Sequence, residues 1–117
     1  MTVTSDGKEV LVSFLANSTV TAPTHVAFGT DGTTSNEEDT QLNTENLRVT
    51  ILERVVTGKE VAITASVSTA QGNSITFKEA GIFNASTSGT LFARSTFSDI
   101  SKTNSFELQI TFTLRVE

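Results

Sequence analysis

Hydrophobic and polar residues alternate without a break over the last stretch of the chain, residues 105–117. Successive side chains of a β-strand point to opposite faces, whereas helical geometry would scatter the same apolar residues around the helix axis. The pattern therefore predicts a long strand with one buried face, which carries Phe106, Leu108, Ile110, Phe112 and Leu114. We expect this face to pack against apolar residues of earlier strands, namely Val61, Ile63, Val67, Ile75, Phe77 and Phe83.

Shorter alternating patterns recur along the chain between polar turns. The stretches that predict strands are residues 25–28, 47–57, 61–67, 75–84 and 90–97. The stretches 47–57 and 61–67 flank Gly58 and Lys59, and together they predict one antiparallel hairpin, although Glu53 falls out of phase. Regularly spaced short strands of this kind predict an all-β fold, an antiparallel β-sandwich of about six to seven strands.

One segment near the start of the chain follows a different period. The apolar residues that recur four positions apart are Val10 with Phe14 and Leu11 with Leu15. This spacing predicts a short helix over residues 8–17, capped by Ser5 or Asp6, within an N-terminal helical segment 1–18. A strand is the alternative, because every second residue from 10 to 14 is also apolar.

Composition indicates a single domain and excludes several classes of partner. The chain has 117 residues, and only 8 of them are Lys or Arg, scattered so that they form no basic stripe for nucleic acid. The net charge of -5 argues against anionic membranes, and no apolar run approaches the roughly 20 residues of a membrane span. The first residues also lack the pattern of a signal peptide. With no Cys, the chain offers no disulfide, thiolate ligand or thiol nucleophile.

A long polar stretch, residues 29–46, predicts a loop, because Leu42 is its one aliphatic residue. Long ordered loops in small domains often form contact surfaces. The loop carries four acids that are weak candidates for a calcium site: Asp31, Glu37, Glu38 and Asp39. Their spacing matches no EF-hand, and the polar residues 33–36 between them fit a solvated loop. We therefore expect no bound metal and no cofactor.

Glu79 falls out of phase inside an apolar strand pattern. A carboxylate in such a place needs a cation or backbone donors as partners, and Arg94, Arg48 or Arg54 could supply the charge. A structural ion pair is therefore expected here rather than a catalytic acid. Gly81 follows in the same strand, where an internal glycine marks a bulge or a close backbone approach.

No residue set for catalysis emerges from the sequence. His25 is the single histidine, and no Gly-x-Ser-x-Gly motif accompanies it, so an ordinary strand-end histidine is the expected interpretation. The chain has no Trp or Tyr, the rings that sugar-binding sites usually present. Its eight Phe fall mostly on the inward faces of the predicted strands and are expected in the core. We expect the protein not to be an enzyme.

Several motifs resemble small tail-associated proteins of tailed bacteriophages. The motifs are APTHVAFGT (22–30), ITFKEAGIFN (75–84), TLFAR (90–94) and FSDI (97–100). They are similar, in order, to the family's "APTHIALGTG" opening, its "I-x-E-A/V-G-L-F-D" strand, its "G-x-L-L-A-R" strand and its "F-P-D-I" corner, with Ser98 in place of the usual Pro. The resemblance extends from the helix to the final strand and implies a β-sandwich module that occurs at tail-fibre, collar, baseplate and other virion positions.

This resemblance implies a non-enzymatic virion structural protein that self-assembles and acts as a tail, baseplate or fibre adaptor. A capsid decoration protein is the first alternative, and a host-surface or carbohydrate-binding module is the second. No shaft or tip follows the final strand, so a complete receptor-binding fibre is not expected. The implied location is the virion, assembled in the host cytoplasm.

The expected partners are other virion proteins and further copies of the chain itself, as a trimer rather than a hexamer. The contacts would involve the 29–46 loop, the helix and a strand edge, because exposed sheet edges must be covered. The charges expected to meet across the contact are those of Glu37, Glu38 and Asp39 on one copy with Arg48, Arg54 or Lys59 on the next.

Overall fold

The computed structural model describes residues 1–117 as two antiparallel sheets and one helix. The elements are β1 (Thr2–Val3), α1 (Ser5–Leu15), β2 (His25–Gly29), β3 (Glu45–Thr50), β4 (Glu53–Thr57), β5 (Glu60–Val67), β6 (Thr76–Phe83), β7 (Leu91–Ser101) and β8 (Leu108–Arg115). The five-stranded sheet has the order β1-β7-β6-β2-β3, and the three-stranded sheet has the order β4-β5-β8. The predicted all-β sandwich with one short helix is confirmed. Its single helix is too short to cross a membrane.

The main core lies between the two sheets and contains 13 buried residues. The five-stranded sheet contributes Phe28 and Phe77, whose ring centroids are 5.5 Å apart. The three-stranded sheet contributes Ile63 and Val67 of β5 and Phe112 of β8. Burying several such side chains, at about 1.5–3 kcal/mol each, supplies the main favourable term for folding.

The stretch 47–57 forms two strands instead of the single strand that its pattern predicts. β3 pairs with β2 in the five-stranded sheet, while β4 pairs with β5 around Gly58 and Lys59. Between them the backbone N–H of Ile51 donates to Thr24 and that of Leu52 donates to Thr64, so the chain passes from one sheet to the other. The predicted hairpin therefore forms only from Glu53 onward, as β4 and β5. The out-of-phase Glu53 is the first residue after the chain has passed to the second sheet.

The last strand, β8, lies at an edge of the three-stranded sheet and pairs only with β5. Phe112 is buried, while Leu108, Ile110 and Leu114 are half-buried. The prediction that Phe106 is buried is wrong: it precedes the strand and keeps 36% of its surface exposed. An edge strand has a neighbour on one side only, so alternation alone overstates how deeply its apolar face is covered.

Phe83 also lies outside the core in which it was expected. It belongs to a second, smaller cluster with Ala27, Leu42 and Leu91. β2, β6 and β7 thus bury apolar side chains on both faces of the five-stranded sheet. Leu42, the one aliphatic residue of the polar loop, covers the outer face and is itself buried.

The helix α1 begins three residues before the predicted position and is capped by Thr4 rather than by Ser5 or Asp6. The Thr4 side chain accepts a hydrogen bond from the Gly7 N–H at 3.0 Å and donates to the carbonyl of Leu91. A Cβ at position 7 would lie 2.5 Å from the carbonyl oxygen of Phe92, so only glycine lets the helix approach β7 this closely. This tertiary contact overrides the low helix propensity of glycine.

Candidate interaction surface

Glu79 is a carboxylate buried completely in β6. Its Oε1 accepts hydrogen bonds from Arg94 Nε at 3.0 Å and from the Asn43 N–H at 3.1 Å. Its Oε2 accepts from the N–H groups of Asp31 and Thr44, both at 3.0 Å. One cation and three peptide donors thus surround the charge, which is what a buried carboxylate requires.

Arg94 is equally buried and sits on β7, the neighbouring strand. Besides the bond to Glu79, its guanidinium donates to the carbonyls of Thr33 at 2.9 Å and Asp31 at 3.3 Å. It also contacts the carboxylate of Asp39 at 3.3 Å. Of the three arginines considered as partners for Glu79, the structure places Arg94 beside it. The planar fork of donors lets one side chain bind several acceptors at once.

The Glu79–Arg94 pair holds both ends of the loop between β2 and β3, residues 30–44, which we call the tethered loop. The loop in turn contacts the start of α1. The Ser5 N–H donates to the Glu37 carbonyl at 2.7 Å, and the Ser5 hydroxyl donates to Glu38 at 3.1 Å. Lys8 forms an exposed salt bridge with Glu37 at 3.1 Å. The buried ion pair therefore helps to fix the orientation of the helix.

The four acidic metal candidates do not converge on one point. Asp39 contacts Arg94, whereas Glu37 and Glu38 contact the start of α1. Asp31 accepts hydrogen bonds from Thr33, and these hold the pKa of its carboxyl below the usual range. No group of three or more His, Cys, Asp or Glu lies close enough to hold a metal ion. His25 is half-buried and lies 2.7 Å from the Thr24 hydroxyl.

Gly81 lies where the Leu91 and Leu42 side chains approach the backbone of β6 closely, and it pairs in register with Arg94. The register of β6 against β7 shifts on either side of the glycine, between Phe77 and Glu79 and between Ile82 and Phe83. A Cβ at position 81 would lie 2.7 Å from Leu91 Cδ1 and 2.8 Å from Leu42 Cδ2. Both leucines are buried, so neither can move aside freely.

Gly81→Val should destabilise the fold by about 1–3 kcal/mol, because it overpacks this contact. Gly32→Val is the matched control, since a Cβ there meets only the Lys78 side chain at 3.7 Å. Gly72 is unsuitable as a control, because its φ is +64° and a Cβ would meet the Phe77 ring at 2.8 Å. The measurement is the urea midpoint of each variant, and equal midpoints for Gly81→Val and Gly32→Val would contradict the close approach.

The C-terminal half of α1 exposes apolar side chains that a helix in a small domain normally buries. We call this set the α1 patch; its members are Leu11 (49% exposed), Val12 (66%), Phe14 (69%) and Leu15 (83%). The contact with β7 covers Gly7 fully and Val10 in part, and the helix then extends beyond that cover. Clustered exposed apolar residues of this kind mark interaction sites.

An apolar groove of about 770 Å³ opens beside α1, between the two layers of the sandwich. One wall consists of Val3, Leu11 and Phe92, and the other of Val56, Val61 and Leu114. Phe92 belongs to the main core, so the groove reaches the interior at this end of the domain. Charged side chains of both signs are among the lining residues: Arg54, Lys59, Glu60, Arg115 and Glu117, of which Arg115 pairs with both glutamates.

The helix was expected to take part in contacts between copies, but the exposed α1 patch and the groove were not themselves identified from the sequence. The helical spacing of Leu11 with Leu15 was visible, but such spacing ordinarily denotes a core-facing stripe. The available signal for an exposed patch was that apolar residues surround the helix, since Val12 lies outside the stripe formed by Leu11 and Leu15. The groove has no sequence signal, because it depends on how the two sheets separate at one end.

Comparison of the chain with models of known protein families gave no match, and comparison with curated protein sequences gave none either.

Proposed function

We propose that the protein is a non-enzymatic structural subunit of a tailed-phage particle. In this proposal it forms a homo-oligomer, a trimer in preference to a hexamer, and joins other particle proteins as a tail, baseplate or fibre adaptor. The motif resemblance over residues 22–30, 75–84, 90–94 and 97–100 supports the phage assignment.

The observation that carries the proposal is the exposed apolar surface formed by the α1 patch and the groove. Leu15 has 83% of its surface exposed and Phe14 has 69%. Covering such side chains releases roughly 25 cal/mol per Å² of apolar area, so association is favourable wherever a complementary surface is present. A subunit that works only within an assembly is the kind of protein for which this exposure is useful.

The ion pair and the loop that hold the helix in place support the same function. Glu79 and Arg94 fix the tethered loop, and that loop holds the start of α1. A contact surface on a rigidly held helix loses little conformational entropy when it binds a partner. The buried Glu79–Arg94 pair therefore serves to position a contact surface.

Analysis of purified particles tests the proposal. We expect the coding gene to lie among genes for other particle proteins, and peptides of the chain to be found in gradient-purified particles in whole-number ratio to a tail protein. Antibody labelling in electron micrographs should mark the tail or baseplate. Labelling of the head would identify a capsid decoration protein instead. Absence of the chain from purified particles would contradict the proposal.

A further inference from the structure

Among the charged residues of the chain, Lys59 is distinctive because it stands at the groove without a partner. Each of the other Lys and Arg side chains forms an ion pair or a hydrogen bond within the chain. Lys59 occupies the turn between β4 and β5 and lines the groove. Its ammonium group is therefore free to pair with an acidic group brought to the groove.

Unpaired charge of the opposite sign lies on α1. Asp6 and Glu9 are exposed there, and neither forms a salt bridge, whereas the neighbouring Lys8 is paired with Glu37. Glu9 and Val12 are three positions apart and so lie side by side on the helix surface. An apolar patch with an acid at its border thus matches an apolar groove with a base at its border.

We propose that the α1 patch of one copy docks into the groove of a second copy, with Glu9 of the first facing Lys59 of the second. This contact rests on the self-assembly proposed above and specifies which surfaces meet. Helix-in-groove docking uses apolar anchors at i, i+3 and i+4, the spacing of Leu11, Phe14 and Leu15. The complementary charges would set the register of the helix in the groove.

The end of the helix adds to the charge match. No basic residue lies in the last turn of α1, so nothing within that turn offsets its partial negative charge. With Lys59 facing Glu9, Arg54 is the lining residue that would place positive charge near that end. The patch and the groove meet at Leu11, which belongs to both. When each copy inserts its patch into the groove of the next, the contact is head-to-tail, and it closes into a ring where the rotation between neighbours allows and otherwise continues as a filament. A rotation of one third of a turn gives the trimer proposed above.

Disulfide trapping tests this contact, and the chain suits it because it contains no native Cys. Chains carrying only Glu9→Cys are mixed with chains carrying only Lys59→Cys and exposed to a mild oxidant. We expect a disulfide-linked dimer that contains one chain of each kind. The control mixes Lys59→Cys with Ser98→Cys, an exposed site on β7, and should give several-fold less of the mixed dimer.

Charge reversal gives a second measurement that leaves the apolar contact intact. Glu9→Lys or Lys59→Glu alone should weaken self-association about two- to fivefold, the range for an exposed ion pair. The double variant should restore it, because the pair is re-formed with its signs exchanged.

The outcomes separate this contact from the proposed function. If wild-type chains associate but the two cysteine mixtures cross-link equally, or the double reversal gives no restoration, the helix-in-groove contact is wrong while self-assembly stands. If wild-type chains remain monomeric at all concentrations, both the helix-in-groove contact and the proposed self-assembly are wrong.

Discussion

Arg94→Met should destabilise the protein by about 3–5 kcal/mol, because it leaves the buried Glu79 carboxylate without its cation. Both side chains have no exposed surface, and their atoms lie 3.0 Å apart. At about 4 °C per kcal/mol for a domain of this size, the melting temperature should fall by roughly 10–20 °C. Scanning calorimetry measures the shift. Limited proteolysis should also show faster cleavage within the tethered loop, since two of its carbonyl groups lose their donor.

Arg115→Met is the matched control for this variant. Arg115 also lies on a strand and pairs with a glutamate, Glu60, at 3.2 Å, but its side chain is 58% exposed. Exposed pairs contribute about 0–1 kcal/mol, so the melting temperature should change by only a few degrees. Similar shifts for the two variants would contradict the role assigned to the buried pair.

Phe112→Ala should destabilise the fold by about 3–5 kcal/mol, the range for removing a buried phenylalanine. Only 3% of its surface is exposed, and it lies opposite Ile63 in the pairing of β8 with β5. The loss is a large part of the roughly 5–15 kcal/mol that holds such a domain folded. Urea denaturation followed by circular dichroism measures it.

Phe106→Ala tests the same strand pattern at a position where the structure differs from it. Its ring is 36% exposed and lies 5.3 Å from the Lys102 ammonium, a modest cation–π contact. We expect a loss of about 1 kcal/mol or less. A loss as large as that of Phe112→Ala would show that the face is covered along its whole length and would contradict the edge position of β8.

The fold class was predictable because period-two alternation and turn residues report directly on strands. Alternation does not say which sheet a strand joins, however. The pattern over residues 47–57 continues across the point where the chain leaves one sheet for the other, and only the out-of-phase Glu53 marks that point. The depth of burial in β8 was overestimated for a related reason, since the sequence does not show that this strand lies at an edge.

The helix start was misplaced because local signals compete. Asp6 with Glu9 resembles a capping box, whereas Thr4 is followed three residues later by a glycine, a poor helix former. The close contact of Gly7 with Phe92 decides in favour of Thr4, and that contact is invisible in the sequence.

The buried ion pair that fixes the tethered loop was predictable in part, whereas the α1 patch and the groove were not. Glu79 stood out because a charge in an apolar strand demands a partner, and Arg94 was among the three considered. The peptide donors from the tethered loop were not predictable, since they depend on how the loop returns across the sheet. The expected intermolecular role of Glu37, Glu38 and Asp39 remains a prediction, and each of them has a partner within its own chain.

Sedimentation equilibrium of the whole chain over a concentration series tests the central claim of self-assembly most directly. The chain has a mass of 12.5 kDa, and we expect the weight-average mass to rise with concentration toward that of three chains. Leu15→Asp, which places a charge within the α1 patch, should hold the mass near that of one chain at the same concentrations. A wild-type mass that stays at 12.5 kDa up to the highest concentration would contradict the account.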